Sequence, residues 1–291
     1  MEAFFSSLVS IAFHGLAYGM ILYAISVGLS ITMGLMGFVN LAHGVFAMAG
    51  GYVMITAMQD FGLPWLPALA VACVVVALAS MVLERLLYSR LYTAGELEQV
   101  LFTIGLIFIA VAVARIIYGN NPLAAPLPEF MKGQLEVAGR SFPTYRVVVI
   151  AASAVLIVAL WLGLERTRWG AMVRAAVDNR AMAQSIGIDT RKLFTLTFAL
   201  GSGLAALGGA LGADLMAMTP TYPFEQLVYF LIVVAVGGLG TLRGPFLGAL
   251  LIGIGDTACK YWVPQFGAFF IYVATMLVLL WRPQGLLGKA P

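Results

Sequence analysis

A series of apolar segments, each about 20 residues long, recurs along the chain and is the feature that most restricts its fold. A helix needs roughly 20 mostly apolar residues to cross a hydrocarbon layer about 30 Å thick. Because 62% of the 291 residues are apolar and 10% are charged, polar side chains are too few to cover this surface in water. We therefore predict an all-α helical bundle with eight or nine membrane-spanning segments, forming a single transmembrane domain over residues 1–291. The segments lie near residues 8–33, 38–58, 64–84, 98–118, 144–164, 192–214, 225–241, 245–263 and 266–282.

The second and seventh segments are short and bordered by glycine, which makes them candidate half-helices. Broken backbone at membrane depth is tolerated where protein or a water-filled cavity surrounds it, so these segments are candidates for lining a pathway. The alternative is close helix packing through small residues. We predict that residues 38–51 and 236–244 line the pathway. The residues singled out are Asn40, His43, Gly44, Gly237, Gly238 and Gly240.

Two polar residues, Asn40 and His43, lie between apolar runs at the start of the second segment. Polar residues inside a membrane are costly and usually face the interior of the bundle. We predict a helix break here, with Asn40 capping the helix that follows. A single histidine such as His43 is more often a satisfied structural residue than a ligand or a proton carrier.

Basic residues predict the orientation, because short cytoplasmic loops carry an excess of Lys and Arg. The only basic residues of segment 119–143 are Lys132 and Arg140, whereas segment 165–192 contains six basic residues. We predict that 165–192 faces the cytoplasm and 119–143 faces outward. Nine crossings then place the amino terminus outside, and eight place it inside. The six residues are Arg166, Arg168, Arg174, Arg180, Arg191 and Lys192.

Within this basic loop, residues 173–188 have the pattern of a short amphipathic helix that ends at Gly187, a residue that readily terminates helices. Such a helix could transmit motion from a soluble motor; the alternative is an interfacial helix on anionic lipid. The predicted apolar strip consists of Val173, Ala176, Val177, Met182, Ala183 and Ile186, and the polar residues turned away from it are Arg174, Asp178, Arg180 and Gln184.

Other charged and reactive residues favour structural roles. Asp256 and Lys260 are four apart on one predicted helix, so they share a face and can neutralise one another; a proton relay is the alternative. Cys73 and Cys259 lie in apolar stretches, which favours packing over a disulfide or a metal site. The net charge of +3 comes from loops and gives no reason to expect nucleic acid.

The chain has no GxxxxGK motif followed by Ser or Thr; residues 285–290 lack both the spacing and the hydroxyl residue. It also has no large soluble region for another nucleotide or substrate domain. We therefore predict that the chain is not an enzyme and has no cofactor of its own. Its energy source is either supplied by other chains or is an ion gradient.

Several blocks with a distinctive sequence follow one another along the chain, namely residues 18–24, 34–51, 166–188, 196–201, 237–244 and 282–288. The second block contains an Asn-x-Ala-His-Gly core at residues 40–44. In this order the blocks resemble the permeases of the branched-chain amino acid (Liv-type, H-like) ABC importers, within a group that also imports amides, urea and other small carboxylates. The resemblance covers essentially the whole chain. One departure is Val45, where many members carry an acidic residue after the core, and it concerns substrate identity.

The resemblance implies a permease subunit in a bacterial inner membrane. It further implies a second permease, often a different chain, two cytoplasmic subunits that bind ATP and Mg, and a periplasmic solute-binding protein. Alternating access, driven by the ATPases, would move branched-chain or related amino acids. Segment 173–188 would be the coupling helix that docks on the ATPase. Its predicted coupling residues are Arg174, Asp178, Arg180, Ala183, Ile186, Gly187 and Ile188.

Two other classes of transport protein remain open. An ion-coupled secondary transporter of small organic solutes would titrate Asp256 and His43 during its cycle and would need no ATPase. A passive channel formed by oligomerisation would depend on pore-lining polarity and not on nucleotide. Neither class gives a reason for a glycine-terminated amphipathic helix in the cytoplasmic loop.

Overall fold

The computed structural model describes residues 2–92, 94–137 and 140–288, and helices dominate these residues. They form eleven α-helices, one antiparallel hairpin and three short 3-10 turns. The helices are α1 (Glu2–Met36), α2 (His43–Gln59), α3 (Trp65–Leu86), α4 (Glu96–Tyr118), α5 (Thr144–Glu165), α6 (Arg168–Asp178), α7 (Arg180–Ser185), α8 (Thr190–Gly212), α9 (Tyr222–Gly237), α10 (Arg243–Trp262) and α11 (Gly267–Trp281). The hairpin pairs β1 (Gln134–Val137) with β2 (Arg140–Pro143), and the turns are Tyr88–Leu91, Glu129–Met131 and Pro264–Phe266.

All nine predicted apolar segments are helices, namely α1 to α5 and α8 to α11, which confirms the predicted all-α membrane bundle. Within the described residues, α1, α3, α4, α5 and α8 are long and apolar enough to cross a membrane. Helices α2, α9 and α11 have 17, 16 and 15 residues. At 1.5 Å per residue they span about 22–26 Å, less than a hydrocarbon core of about 30 Å. The second and seventh segments are therefore short, as predicted.

The two ends of α1 touch opposite ends of the bundle. Near its amino end, Phe13 packs on Phe142 of the hairpin, with ring centroids 4.4 Å apart. Near its carboxyl end, the Ser30 hydroxyl donates to the Thr241 carbonyl at 3.2 Å, beside the basic loop that follows α5. The amino terminus therefore lies on the side opposite that loop, which is the arrangement predicted for nine crossings.

Small residues bring α1, α2 and α8 into close contact at the centre of the bundle. A Cβ atom on Gly209 of α8 would lie 2.6 Å from the Ala47 carbonyl carbon of α2, and one on Gly50 would lie 2.6 Å from the Ala206 carbonyl carbon. Helices in membranes associate through such close backbone approaches. The short second segment therefore also has the close small-residue packing that was its alternative interpretation.

We expect Gly209→Val to lower the free energy of unfolding by about 1–3 kcal/mol, because overpacking against backbone atoms forces the helices apart. The melting temperature of the detergent-solubilised protein measures this effect. Gly105→Val in α4 is the matched control, since no described heavy atom lies within 4 Å of a Cβ placed there. Equal melting temperatures for the two variants would contradict the close contact.

Candidate translocation and coupling sites

The segment 37–42 between α1 and α2 is non-helical although protein surrounds it. Phe38, Asn40 and Ala42 are each at most 3% exposed. Gly37 has a φ of 60°, a conformation that glycine adopts at little cost. The backbone N–H of Val39 donates to Oε1 of Gln99 at 3.1 Å. The segment is thus a helix break whose backbone is held by α4, and we call it the first break.

Asn40 does not cap α2, contrary to the prediction. The residue at the cap is Ala42, and no side chain caps this helix end. The Asn40 carboxamide instead accepts a hydrogen bond on Oδ1 from the Tyr88 hydroxyl at 3.2 Å. Its Nδ2 group is buried without a partner among the described residues. The turn at residues 41 and 42 places Asn40 too early in the chain to reach the first helical amides.

His43 joins α2 to α1. Its Nε2 atom lies 3.0 Å from the Ile25 carbonyl oxygen, which can only accept, so Nε2 carries the proton. Its Nδ1 atom is buried and has no partner among the described residues. Beside it, a Cβ on Gly44 would lie 3.2 Å from Cα of Pro223 in α9. These contacts join α2 to α1 and bring it close to α9, and a purely structural role of His43 stays a prediction.

A second break, residues 238–242, separates α9 from α10. Gly238 and Gly240 have φ values of 101° and 73°, which are strained for other residues. The carboxyl-terminal segment is attached here, because Leu286 N–H donates to the Val236 carbonyl at 2.7 Å and Leu287 N–H donates to the Gly237 carbonyl at 3.1 Å. The second break is therefore held from two sides, by the chain end and by α1.

The two breaks lie at different levels along α1. His43 bonds Ile25, whereas a Cβ on Gly240 would lie 3.5 Å from Cα of Gly34. Nine residues of helix separate Ile25 from Gly34, or about 13 Å along the axis. The predicted pathway residues thus form two separate groups. Asn40, His43 and Gly44 lie at the first break, and Gly237, Gly238 and Gly240 lie at the second. That both groups line one pathway stays a prediction.

Residues 173–188, which we call the coupling segment after their predicted role, belong to two helices rather than to the single helix predicted. Helices α6 and α7 meet at Asn179, whose backbone is extended (φ −155°, ψ 101°). Its Oδ1 atom accepts the N–H of Met182 at 2.9 Å and so caps α7. Asn side chains compete in this way with helical backbone bonds, which is why a central Asn can start a new helix. The capping tendency of Asn179, between Asp178 and Arg180, is the sequence signal that could have predicted this break.

The predicted stop at Gly187 is present. Gly187 has a φ of 89°, its N–H donates to the Gln184 carbonyl, and the Ile188 N–H donates to the Ala183 carbonyl, both at 3.0 Å. This pair of bonds is the Schellman motif. Two residues later, Asp189 caps α8 by accepting the Lys192 N–H at 3.1 Å, and this bond lowers the pKa of Asp189. The end of α7 and the start of α8 are therefore fixed within a few residues.

The predicted apolar strip of the coupling segment divides into two faces. Val173, Ala176 and Ala183 are buried, whereas Met182 and Ile186 are 65% and 68% exposed. Because α7 turns at Asn179, its apolar side chains do not continue the buried face of α6. Met182 and Ile186 therefore form an apolar surface outside the packed core of the bundle.

The remaining predicted coupling residues lie around this surface. Arg174 is exposed and donates to the Leu164 carbonyl oxygen, and Asp178 is also exposed. Ile188 is half-buried behind Gly187. The side chains of Val177 and Arg180 lie outside the described residues. A cavity of about 340 Å³, whose lining includes Val173 and Arg174, separates α6 from the second break.

The sequence did not identify Glu84 as a functional candidate. It is 1% exposed, and its carboxylate accepts hydrogen bonds from the Tyr92 hydroxyl at 2.5 Å and from the Thr195 hydroxyl at 2.7 Å. Thr195 belongs to the first turns of α8, directly after the coupling segment. Glu84 therefore joins α8 to the α3–α4 connection, and that connection holds the first break through Tyr88. Because Glu84 is at the end of a predicted apolar segment, the sequence suggested an ordinary charged residue in an exposed loop.

The predicted contact between Asp256 and Lys260 is present in α10, where Lys260 Nζ lies 2.6 Å from Asp256 Oδ2. The Asp256 side chain is 3% exposed and that of Lys260 is 52% exposed. This pair neutralises a carboxylate that would otherwise be buried alone.

Comparison with known proteins agrees with the resemblance described above. LivH of Escherichia coli strain K12, a high-affinity branched-chain amino acid transport system permease protein, is 27% identical over 290 residues, covering 95% of this chain and 94% of LivH. BraD of Pseudomonas aeruginosa, described in the same words, is 26% identical over 289 residues, covering 95% and 94%. LivM of E. coli K12 is 24% identical over 297 residues, covering 92% and 68%. No solved structure matches significantly.

The family profile described as "Branched-chain amino acid transport system / permease component" matches residues 11–280, which include both breaks and the coupling segment. Its members are permease components of ABC transporters, multi-pass proteins that work with other subunits. The chain belongs to this family of branched-chain amino acid transport permeases.

Proposed function

We propose that this chain is an inner-membrane permease subunit of a bacterial importer that takes up branched-chain amino acids from a periplasmic binding protein. Its partners are a second, different permease and two cytoplasmic subunits that bind ATP and Mg. The family match over residues 11–280 carries this proposal. The chain is similar to both LivH and LivM, which are two different permeases, and this supports a pair of non-identical permease subunits.

In this proposal the exposed side chains of Met182 and Ile186 dock on an ATP-binding subunit. Hydrolysis and ATP binding shift the permease between inward and outward states to the extent that the partners bind those states differently. Motion of α7 reaches α8 directly, since Gln184 Nε2 donates to the Thr190 hydroxyl at 2.7 Å. From α8, Glu84 and the α3–α4 connection carry it to the first break.

The basic loop and the family membership also support an orientation and a transport class. The basic loop 165–192 would face the cytoplasm, where the ATP-binding subunits are. The chain itself would carry out no covalent chemistry. Family membership favours this importer over an ion-coupled carrier, whose titrating groups would be His43 and Asp256. Each of these residues instead has a contact within the bundle, His43 with Ile25 and Asp256 with Lys260.

The test is uptake of radiolabelled leucine into proteoliposomes that contain this chain and the subunits encoded beside it. We expect uptake to require both ATP and the binding protein. Binding-protein-stimulated ATP hydrolysis without leucine uptake would keep the importer and refute the amino acid assignment. Uptake that follows a proton gradient and ignores ATP would refute the importer.

A further inference from the structure

The ion pair of Asp256 and Lys260 lies toward the outer end of α10. This helix begins at Arg243, which bonds Glu165 at the cytoplasmic end of α5 at 3.3 Å. Asp256 follows thirteen residues later, or about 20 Å along the helix axis. The pair therefore lies in the half of the bundle from which a solute would enter.

One oxygen of the Asp256 carboxylate is unused. Oδ2 accepts from Lys260, but Oδ1 is buried and has no partner among the described residues. Leaving a buried acceptor unsatisfied is costly, and the cost is larger for a charged group. A simple structural ion pair does not require this arrangement. The free oxygen can therefore accept a hydrogen bond from a donor that the described residues do not supply.

Tyrosine side chains from two other helices surround this position. Tyr18 of α1 and Tyr229 of α9 meet edge to face, with ring centroids 6.5 Å apart, and both side chains lie near the Asp256 carboxylate. The Tyr222 hydroxyl is itself buried without a partner among the described residues. Aromatic faces attract cations, and a carboxylate does so more strongly. These surroundings favour a positively charged donor such as an ammonium group.

Lys260 adds the opposite charge next to this site. Its side chain is half-exposed, so the ammonium group can turn toward a ligand without leaving Asp256. An α-amino acid carries an ammonium and a carboxylate on one carbon atom, at a separation similar to that of the Asp256 and Lys260 charges. The two residues thus match both charges of such a zwitterion.

We propose that Asp256 and Lys260 form an entry site for the zwitterionic head of an amino acid. The ligand's ammonium donates to Asp256 Oδ1, and its carboxylate accepts from Lys260 Nζ. Tyr18 and Tyr229 line the site. This inference rests on the proposed function and names the chemical group that the permease itself recognises after the binding protein releases the solute.

The test measures binding of radiolabelled leucine to the purified complex, assembled without its binding protein, by equilibrium dialysis. We expect saturable binding that Asp256→Leu/Lys260→Leu weakens by about tenfold or more, since bonds to both charges are lost. Replacing both members of an ion pair avoids leaving the buried Asp256 carboxylate without its partner, so the melting temperature of this variant should change little. Leucinamide, which lacks the carboxylate, and 4-methylpentanoate, which lacks the ammonium, should both compete poorly.

Glu129→Gln/Lys132→Gln is the control, because it removes a different ion pair, between Lys132 and Glu129, whose atoms are also 2.6 Å apart and lie in the outer loop. It should bind leucine like the wild type. Absence of saturable binding in the wild type, or equal binding by the Asp256→Leu/Lys260→Leu variant, would overturn the site. ATP-driven uptake measured on the same preparations tests the proposed function separately: wild-type uptake without binding at this pair refutes only the site.

Discussion

Replacing Gly187 with proline is expected to reduce ATP-driven uptake about 100-fold while leaving the protein in the membrane. Proline fixes φ near −65°, whereas Gly187 has a φ of 89°, and it removes the N–H that donates to Gln184. A local cost of about 3 kcal/mol corresponds to a factor of about 100. The Schellman motif would open, and α7 would lose its fixed position relative to α8. ATP hydrolysis should continue, because the ATP-binding subunits are intact.

The measurement is leucine uptake per ATP hydrolysed in proteoliposomes, with the amount of inserted permease determined separately. Gly187→Asn is the matched control, since asparagine tolerates positive φ and keeps the N–H. It should retain most of the uptake. Coupled transport by the proline variant at the wild-type ratio would show that the end of α7 does not transmit motion.

Replacing Glu84 with leucine is expected to have the second largest effect. The Tyr92 and Thr195 hydroxyls would each lose a hydrogen bond to a carboxylate inside the protein, at a cost of about 1.5–3 kcal/mol per bond. The melting temperature should fall. Uptake per ATP hydrolysed should fall about tenfold as well, because α8 would lose its hydrogen-bonded link through Glu84 to the connection that holds the first break.

Glu84→Gln separates these two effects. Its carboxamide keeps an acceptor and supplies donors, and hydroxyl groups can both accept and donate, so both contacts can be rebuilt. We expect the glutamine variant to recover most of the coupling. A leucine variant that is less stable but transports leucine at the wild-type ratio would limit Glu84 to a purely structural role.

The sequence predicted those parts of the fold that depend on neighbouring residues. Helix positions follow from apolar periods, and the stop at Gly187 follows from the freedom of glycine to adopt positive φ. The break at Asn179 was missed because the apolar spacing of 173–188 fits one helix. Asn179 can also cap a new helix, but the sequence prediction gave more weight to the apolar spacing.

The site depends on partners distant in sequence, which local patterns do not show. Asn40 was predicted to cap α2 but bonds Tyr88, 48 residues away, and Glu84 bonds Thr195, 111 residues away. The position of each break along the axis of α1 also depends on tertiary packing, which the glycines of the break do not reveal. The contact of Asp256 with Lys260 was predictable because it spans a single helical turn.

Helix α11 makes the permease sensitive to the thickness of its bilayer. Its 15 residues span about 22 Å, and side chains such as Phe269, Met276 and Leu280 are more than half exposed. A bilayer of lipids with long acyl chains must thin around such a short helix. The chain after Trp281 bonds Val236 and Gly237, so strain in the surrounding lipid is applied to the second break through the carboxyl-terminal segment. Acyl-chain length is thereby expected to act on the glycines of the second break.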